Sequence, residues 1–590
     1  MRAGSSAIAI RGIWVPDQVD PGLLDPPVAI RPPEAVTTAD ALSATKSSAL
    51  SFARVLIRRM VQERWTISTA IWEIDDEGRG TAAFRIETAE RPLHFVVFAD
   101  NLPDDQKSER IVGNRYDGVG YLGQGEIDRD HIEVMRGESA NFVLGRAGPS
   151  VIGLTRMNRS ASAFDGAVDA LAQGRQPRIP GGYLLRNNGF WGNGRHGTAI
   201  YPGFAPEHPL SHPYSGEMMT LYMWRHFGCE LAEHLARCRN PDAARFAPEL
   251  KRHLGMGNAS GLGMVPFVIA RPKRIHAWVV MRELAIAHAL GEAVLPAAPE
   301  VIHLVRLLDR CIAYFTLHDR SGKAMYAPSS VLRENLGCLR DAVAIFGAEG
   351  LMCGVTAERP WQVLETWARD HCDRESLELL HSLLIELYPE RAFALARLAA
   401  VPGDFANDSD PAMALSDLAA LIRRDYGWAL AIDVDGPQAR HHFWYYSDEN
   451  VEPRLGERGV DPGDEHEAFV DVPGAVQALL ADIGKQPGTM TTAAFLLVHP
   501  GQRFMAERVQ SMAGLPYGEI RGHVSHAGFQ PCHLIRFALS LLGMEDFDPR
   551  SSLWVRGTFL QGAPIAQDLA QGREDDWIYP LEPTPESEDA

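Results

Sequence analysis

Between about Gly216 and Ala400 apolar residues recur at helical spacing in one segment after another, which commits the middle of the chain to packed helices. The spacing predicts helices over Glu217–Arg239, Ala243–Leu254, Lys273–Leu290, Pro299–His318, Ser329–Phe346 and Trp361–Ala399, the last broken around Asp370–Arg374 and again near Pro389. Ser321-Gly322 and Ala348-Glu349-Gly350 punctuate the run.

On the N-terminal side the period changes. After a helix over Ser48–Glu63, the stretches Trp65–Ile74, Thr81–Thr88 and Leu93–Ala99 alternate like strands, the first two joined by Asp75-Asp76-Glu77-Gly78-Arg79-Gly80. A similar order returns later. Leu418–Arg424 ends in Leu-Ile-Arg-Arg, as does Leu56–Arg59, and Trp428–Val434 with Arg440–Tyr446 read as a hairpin about Asp435-Gly436. Phe98-Ala99-Asp100 is echoed by Tyr446-Ser447-Asp448, Glu109-Arg110 by Glu457-Arg458, and Asn188-Gly189-Phe190 by Ala527-Gly528-Phe529. Matches kept in order predict an internal duplication. Asp100 with Arg110, and Asp448 with Arg458, read as salt bridges closing equivalent corners.

The expected fold is therefore α+β and helix-rich, with two duplicated α+β units carrying antiparallel sheets on either side of a central helical region. Residues 1–45 form an extended proline-rich arm, with proline at 16, 21, 26, 27, 32 and 33. Residues 46–215 form the first unit, 216–405 the helical region, 406–560 the second unit and 561–590 an extended, frayed acidic tail. A chain of 590 residues exceeds what one core usually serves.

Charge narrows the function. With 57 basic against 76 acidic residues the net charge is -19, so the long-range field repels nucleic acid and anionic membranes, and neither is an expected partner. No apolar run reaches spanning length. Seven cysteines without a CxxC pair read as reduced thiols, hence a soluble cytoplasmic protein.

Polar chemistry gathers in three glycine-framed stretches. From Leu185 to Thr198, four glycines, three asparagines, two arginines and a histidine suit an irregular loop that holds an anion between backbone amides and a guanidinium. Arg186, Asn187, Asn188, Trp191, Asn193 and Arg195 are its substrate-binding candidates, and His196 a proton carrier. The second stretch, Gly255–Pro266, follows a helix and lacks both the dinucleotide fingerprint and a Gly-Lys-Ser/Thr ending, so no nucleotide cofactor is implied; Asn258 and Ser260 are the side chains expected to reach a ligand. Glycines packed at a helix–helix corner would read the same way. Between these two stretches, His208 and His212 each precede proline, and Ser215 is placed to cap a helix.

The third stretch, Arg521–His533, holds His523, His526, Cys532 and His533, ligand types that suit a divalent metal, although the spacing matches neither a helical His pair nor a zinc ribbon. The leading expectation is an enzyme acting on a small carboxylate or phosphate metabolite by acid–base chemistry of the lyase or hydrolase kind. His196, His212, His523 or His526 would move protons, with Tyr446 and Asp448 as alternatives. Two other readings stand beside it. One is a metal-dependent enzyme built on His523, His526 and His533; the other is a non-enzymatic binding or assembly protein, including a homo-oligomer.

Overall fold

The structure, a computed structural model, describes residues 19–107, 115–137, 151–192, 208–261, 268–269, 271–293, 298–318, 327–349, 359–400, 409–435, 442–446, 451–455, 468–469, 471–521, 532–551, 554–574 and 576–583. It mixes helices with strands. In chain order the principal elements begin with α1 (Ala39–Ala44), α2 (Phe52–Gln62), β1 (Thr66–Ile74), β2 (Gly80–Glu87), β3 (Leu93–Ala99), β4 (Gly118–Gln124), α3 (Arg129–Gly137), β5 (Val151–Arg159), α4 (Phe164–Ala172), β6 (Tyr183–Gly192) and α5 (Ser215–Arg239). They continue with α6 (Pro248–His253), β7 (Gly255–Gly261), α7 (Pro272–Leu290), α8 (Pro299–Leu317), α9 (Ser329–Glu349), α10 (Pro360–His371), α11 (Arg374–Glu386), α12 (Pro389–Leu395) and α13 (Leu415–Asp425). The last are β8 (His442–Tyr446), β9 (Val451–Leu455), β10 (Ala468–Phe469), α14 (Val472–Ile483), α15 (Thr492–Val498), α16 (Arg503–Ser511), α17 (Cys532–Leu542), β11 (Met544–Ser551), β12 (Trp554–Phe559) and α18 (Ala566–Gln571).

One nine-stranded sheet runs β1-β2-β3-β4-β5-β6-β7-β12-β11, and a separate three-stranded sheet runs β10-β8-β9. Every pair in the large sheet is antiparallel except β6 with β7. The parallel pair follows from connectivity, because α5 and α6 separate β6 from β7 and carry the chain back to start in the same direction. α5 lies across β4 to β7. It is buried on nearly all sides, with Met218, Met219, Leu221, Tyr222, Met223, Trp224, Phe227 and Leu231 in the core and Glu217, Arg225 and Glu233 buried beside them.

Glycines in β4 let this helix approach. A Cβ on Gly120 would stand 2.5 Å from the Phe95 ring and 2.7 Å from Trp224, and one on Gly118 would press on Met157 and Trp224. Trp224 packs edge-on to Phe95 at 5.5 Å. The opposite face of the meander has its own small core, in which Val96, Val119, Tyr121 and Leu154 meet Ile132 and Met135 of α3.

Several sequence-based boundaries shift for identifiable reasons. Tyr183–Gly192 is not an irregular loop but strand β6, and Gly255–Gly261 is not a helix corner but strand β7, so the stretch between 216 and 405 contributes a strand to the main sheet. Both have weak strand propensity, which neighbouring strands on each side override. The helix read over Ala243–Leu254 starts at Pro248, a residue preorganised for a first turn. The break read around Asp370–Arg374 falls where Asp373 accepts from the amides of Glu375 and Ser376 at 2.8 and 3.2 Å and so starts α11.

The expected duplication of the two α+β units is not confirmed by the topology. Leu-Ile-Arg-Arg lies inside a helix in both, α2 and α13, but it is followed by three more helical residues in α2 and by one in α13, and Gly427–Leu430 is a helical turn where a strand was expected. β8 pairs with β9 and β10 rather than across Asp435-Gly436. β11 and β12 meanwhile join the sheet begun by β1, so strands from both ends of the chain share one layer.

Neither terminal region is simply extended. Within residues 1–45, Pro33–Val36 and α1 are short helices, and Arg31 is gripped by Glu283 through two bonds of 2.7 Å and by Glu378. At the other end Trp577, Ile578 and Tyr579 are buried rather than frayed, because three large apolar side chains outweigh their acidic surroundings. Arg54 lies 4.5 Å over the Trp577 ring. The same end is held by Arg225, whose guanidinium donates to the carbonyls of Lys251, Arg252, Leu254, Ala563 and Pro564. Another buried clasp joins Arg508 to Glu519 through two bonds of 2.8 Å, with the Tyr426 hydroxyl donating to the same carboxylate at 2.7 Å.

Candidate functional site

The parallel pair β6–β7 concentrates polar side chains inside the sheet. Tyr183 pairs with Gly255 and Arg186 with Gly257, and Gly257 leaves room for the Tyr183 ring, since a Cβ there would stand 2.6 Å from it. One residue further on, Asn258 donates its Nδ2 to Asn187 Oδ1 at 2.7 Å. Arg186, Asn187, Asn188 and Asn258 are 2%, 1%, 5% and 8% exposed, a density of buried polarity that must be satisfied by hydrogen bonds.

Strand alternation divides these residues between two faces. Leu185 contacts the position of Gly228 on α5, so Leu185 and Asn187 face that helix. Arg186 and Asn188 point the other way, and Asn158, opposite Arg186 on β5, joins them. Asn158 and Asn188 donate their Nδ2 groups to the Arg115 carbonyl at 3.0 and 3.1 Å, using both of its lone pairs. Close by, Asp117 accepts from the amides of Leu102 and Arg159 at 2.7 and 2.8 Å. The Arg159 guanidinium is turned to the carbonyls of Gly78 and Asp100, which closes the turn between β1 and β2.

The structure thus brings together four of the expected binding residues, as Asn187 with Asn258 on the helix side and Arg186 with Asn188 on the other. Trp191, Ser260 and Tyr446 lie on β6, β7 and β8, and only their backbone is described. Asn193, Arg195, His196, Asp448, His523 and His526 lie outside the described residues. Asn158, Arg115 and Asp117 were not anticipated; Asn158-Arg159 ends a strand that opens on apolar residues, and that polar end is the legible clue.

Of the histidines singled out by the sequence, His208, His212 and His533 are buried. His212 is 3% exposed with its ring 4.7 Å from Phe393. Burial, with Arg59 nearby, pushes His208 down to about 4, and its Nδ1 accepts from the Leu210 amide at 3.1 Å, which leaves the proton of the neutral ring on Nε2. Burial and the Arg536 guanidinium likewise push His533 down to about 4, with Asp40 3.8 Å away. Among the described residues no three His, Cys, Asp or Glu side chains are grouped to hold a metal. Of the expected corner salt bridges, Asp100 lies 3.5 Å from Arg79, whereas Arg110, Asp448 and Arg458 are outside the described residues.

No family model matches the chain, and no curated protein or solved structure is significantly similar to it. Among the described residues no helix is long and apolar enough to cross a membrane.

Proposed function

We propose that the chain binds a small carboxylate or phosphate beside Arg186 and acts on it as an enzyme of the lyase or hydrolase kind. The supporting observation is the Arg186 guanidinium, 2% exposed and flanked across and along the sheet by Asn158 and Asn188. The planar fork of a guanidinium matches the two oxygens of a carboxylate or phosphate. The neighbouring amides orient such a ligand, and the Asn187–Asn258 pair stiffens the strands that carry them. The proton carrier in this reading is His196, His212, His523 or His526, since burial weakens the basicity of His208 and His533.

The test is a thermal-shift and calorimetry panel of phosphate, sulfate and small mono- and dicarboxylates on the full chain. At least one anion should raise the melting temperature, as expected for a ligand that binds only the folded state. Asn188→Asp, which places a negative charge beside the guanidinium, should abolish that rise, and Arg186→Lys should weaken it by about tenfold, roughly one lost charge-assisted bond. A panel in which no anion stabilises the protein would remove the proposal.

The duplication stays a second proposal, resting on the ordered sequence matches and on the two Leu-Ile-Arg-Arg helices. It predicts that in an experimental structure residues 46–215 superpose on residues 406–560 with the matched motifs equivalent, and a superposition that puts those motifs out of register would count against it.

A further inference from the structure

α15 and α16 wall a groove of about 410 Å³, a volume within the range of small-ligand pockets. Pro411, Leu496 and Leu497 give it an apolar side, and its polar side comes from α16 and from the turn that starts at Asp410. Arg503, Glu507 and Gln510 stand at i, i+4 and i+7 of α16 and so share the face that lines the groove.

Gln510 points to a ligand. It is 8% exposed, its Oε1 accepts the Asp410 amide at 2.6 Å, and its Nε2 makes no hydrogen bond. A buried donor without an acceptor is rare in a folded protein, and one in the wall of a groove marks where an acceptor enters. The ends of the polar side carry opposite charges. At one end Arg503 donates only its Nε, to Glu507 at 2.9 Å, and its two terminal nitrogens make no hydrogen bond among the described residues. At the other end the Asp410 carboxylate accepts only from the Ala412 amide, through Oδ1 at 2.9 Å, so its second oxygen is free among the described residues.

We infer that the groove binds a short peptide with free termini, about two or three residues long: its carboxylate on the Arg503 fork, its ammonium on Asp410, and a backbone carbonyl on the Gln510 amide. The spacing sets the length. Seven residues of helix place Arg503 and Gln510 about 10 Å apart along α16, and Arg503 leans toward Glu507, which leaves the span of two or three extended residues. A single amino acid is too short to join the two charges, and a dicarboxylate or a diamine meets the wrong sign at one end. The apolar side of the groove then faces the peptide's side chains, so apolar residues bind more tightly than glycine. None of these groups belongs to the Arg186 cluster, and the inference does not rest on the anion reading above.

Titration calorimetry on the full chain tests it with the peptides Leu-Leu and Ala-Leu-Ala, free leucine, Gly-Gly-Gly, and Ala-Leu-Ala blocked at either end by acetylation or amidation. At least one of the two leucine peptides should bind with a Kd below about 1 mM. Blocking either terminus, or Arg503→Gln, should weaken it by about tenfold, the loss of one charge-assisted bond. Gln510→Glu keeps the oxygen that holds the Asp410 amide but removes the free donor, and should abolish binding. Because Arg503 is largely in solvent, its variant keeps the test decisive even where Gln510→Glu lowers stability. Absence of binding by both leucine peptides, binding unchanged by Arg503→Gln and by both blocking groups, or free leucine binding as tightly as the peptides would overturn the inference.

Discussion

β4 and the β6–β7 pair sit in the same sheet under the same helix, and both interrupt their apolar side chains with residues that are weak strand formers. In β4 the missing side chains are space. Gly118 and Gly120 make room for Met157, Phe95 and Trp224, and the ring of His94 lies over Gly123. In β6–β7 the corresponding positions are filled, by amides and a guanidinium, and the amides bond to one another and to a backbone carbonyl. The comparison separates two reasons for a weak strand former in a sheet: close approach of a large neighbour, and polar side chains whose partners come from adjacent strands.

If that contrast is right, Gly120→Ala should be the most damaging substitution in either region, lowering stability by about 1–3 kcal/mol in urea unfolding because neither Phe95 nor Trp224 can retreat. A tolerated alanine would show that the β4 glycines are not spacers. At the amide pair, Asn187→Leu should cost a similar or somewhat smaller amount, about 1–3 kcal/mol, by removing the oxygen to which the Asn258 amide donates. Adding Asn258→Leu should then recover part of the loss, whereas at Gly120 no second truncation within β4 could. Equal, additive losses from the two leucines would mean that the amide bond is not the coupling.

Acid should distinguish the two regions further. Burial lowers the pKa of His94 in the β4 slot, with its Nδ1 2.8 Å from the Gly125 carbonyl, while asparagines do not titrate. The unfolded chain therefore takes up this proton first, so the stability is complete above about pH 6.5 and falls as pH drops below it toward the folded value. His94→Gln should flatten that part of a pH–stability curve, and Asn187→Leu should shift the whole curve without changing its slope. The smallest effect belongs to the exposed pair at the strand corner: Asp100→Asn should leave the urea midpoint within experimental error, since Asp100 and Arg79 are largely in solvent. A measurable loss would show that Asp100 contributes to holding this corner.

Much of the helical architecture was legible. Apolar spacing placed α5, α7, α8 and the broken run α10–α12, and Asp373 and Pro389 mark the breaks within that run for local reasons of capping and fixed φ. The first three strands were readable from alternation. Residues Arg186, Asn187, Asn188 and Asn258 were singled out by polarity, but their setting was misread as loop and corner. Nothing local in Gly255-Met256-Gly257-Asn258 announces a strand.

The sequence by itself determined where the chain turns helical, which segments alternate, and that the chain carries excess negative charge, because these depend on neighbours within a few residues. Only the tertiary structure decided that β7, β11 and β12 join the sheet begun by β1, that Asn187 and Asn258 meet while Arg186 faces away, and that Trp577–Tyr579 is buried. Pairing between strands far apart in the chain is set by which surfaces exclude water and satisfy one another's backbone groups, and that is a property of the assembled whole.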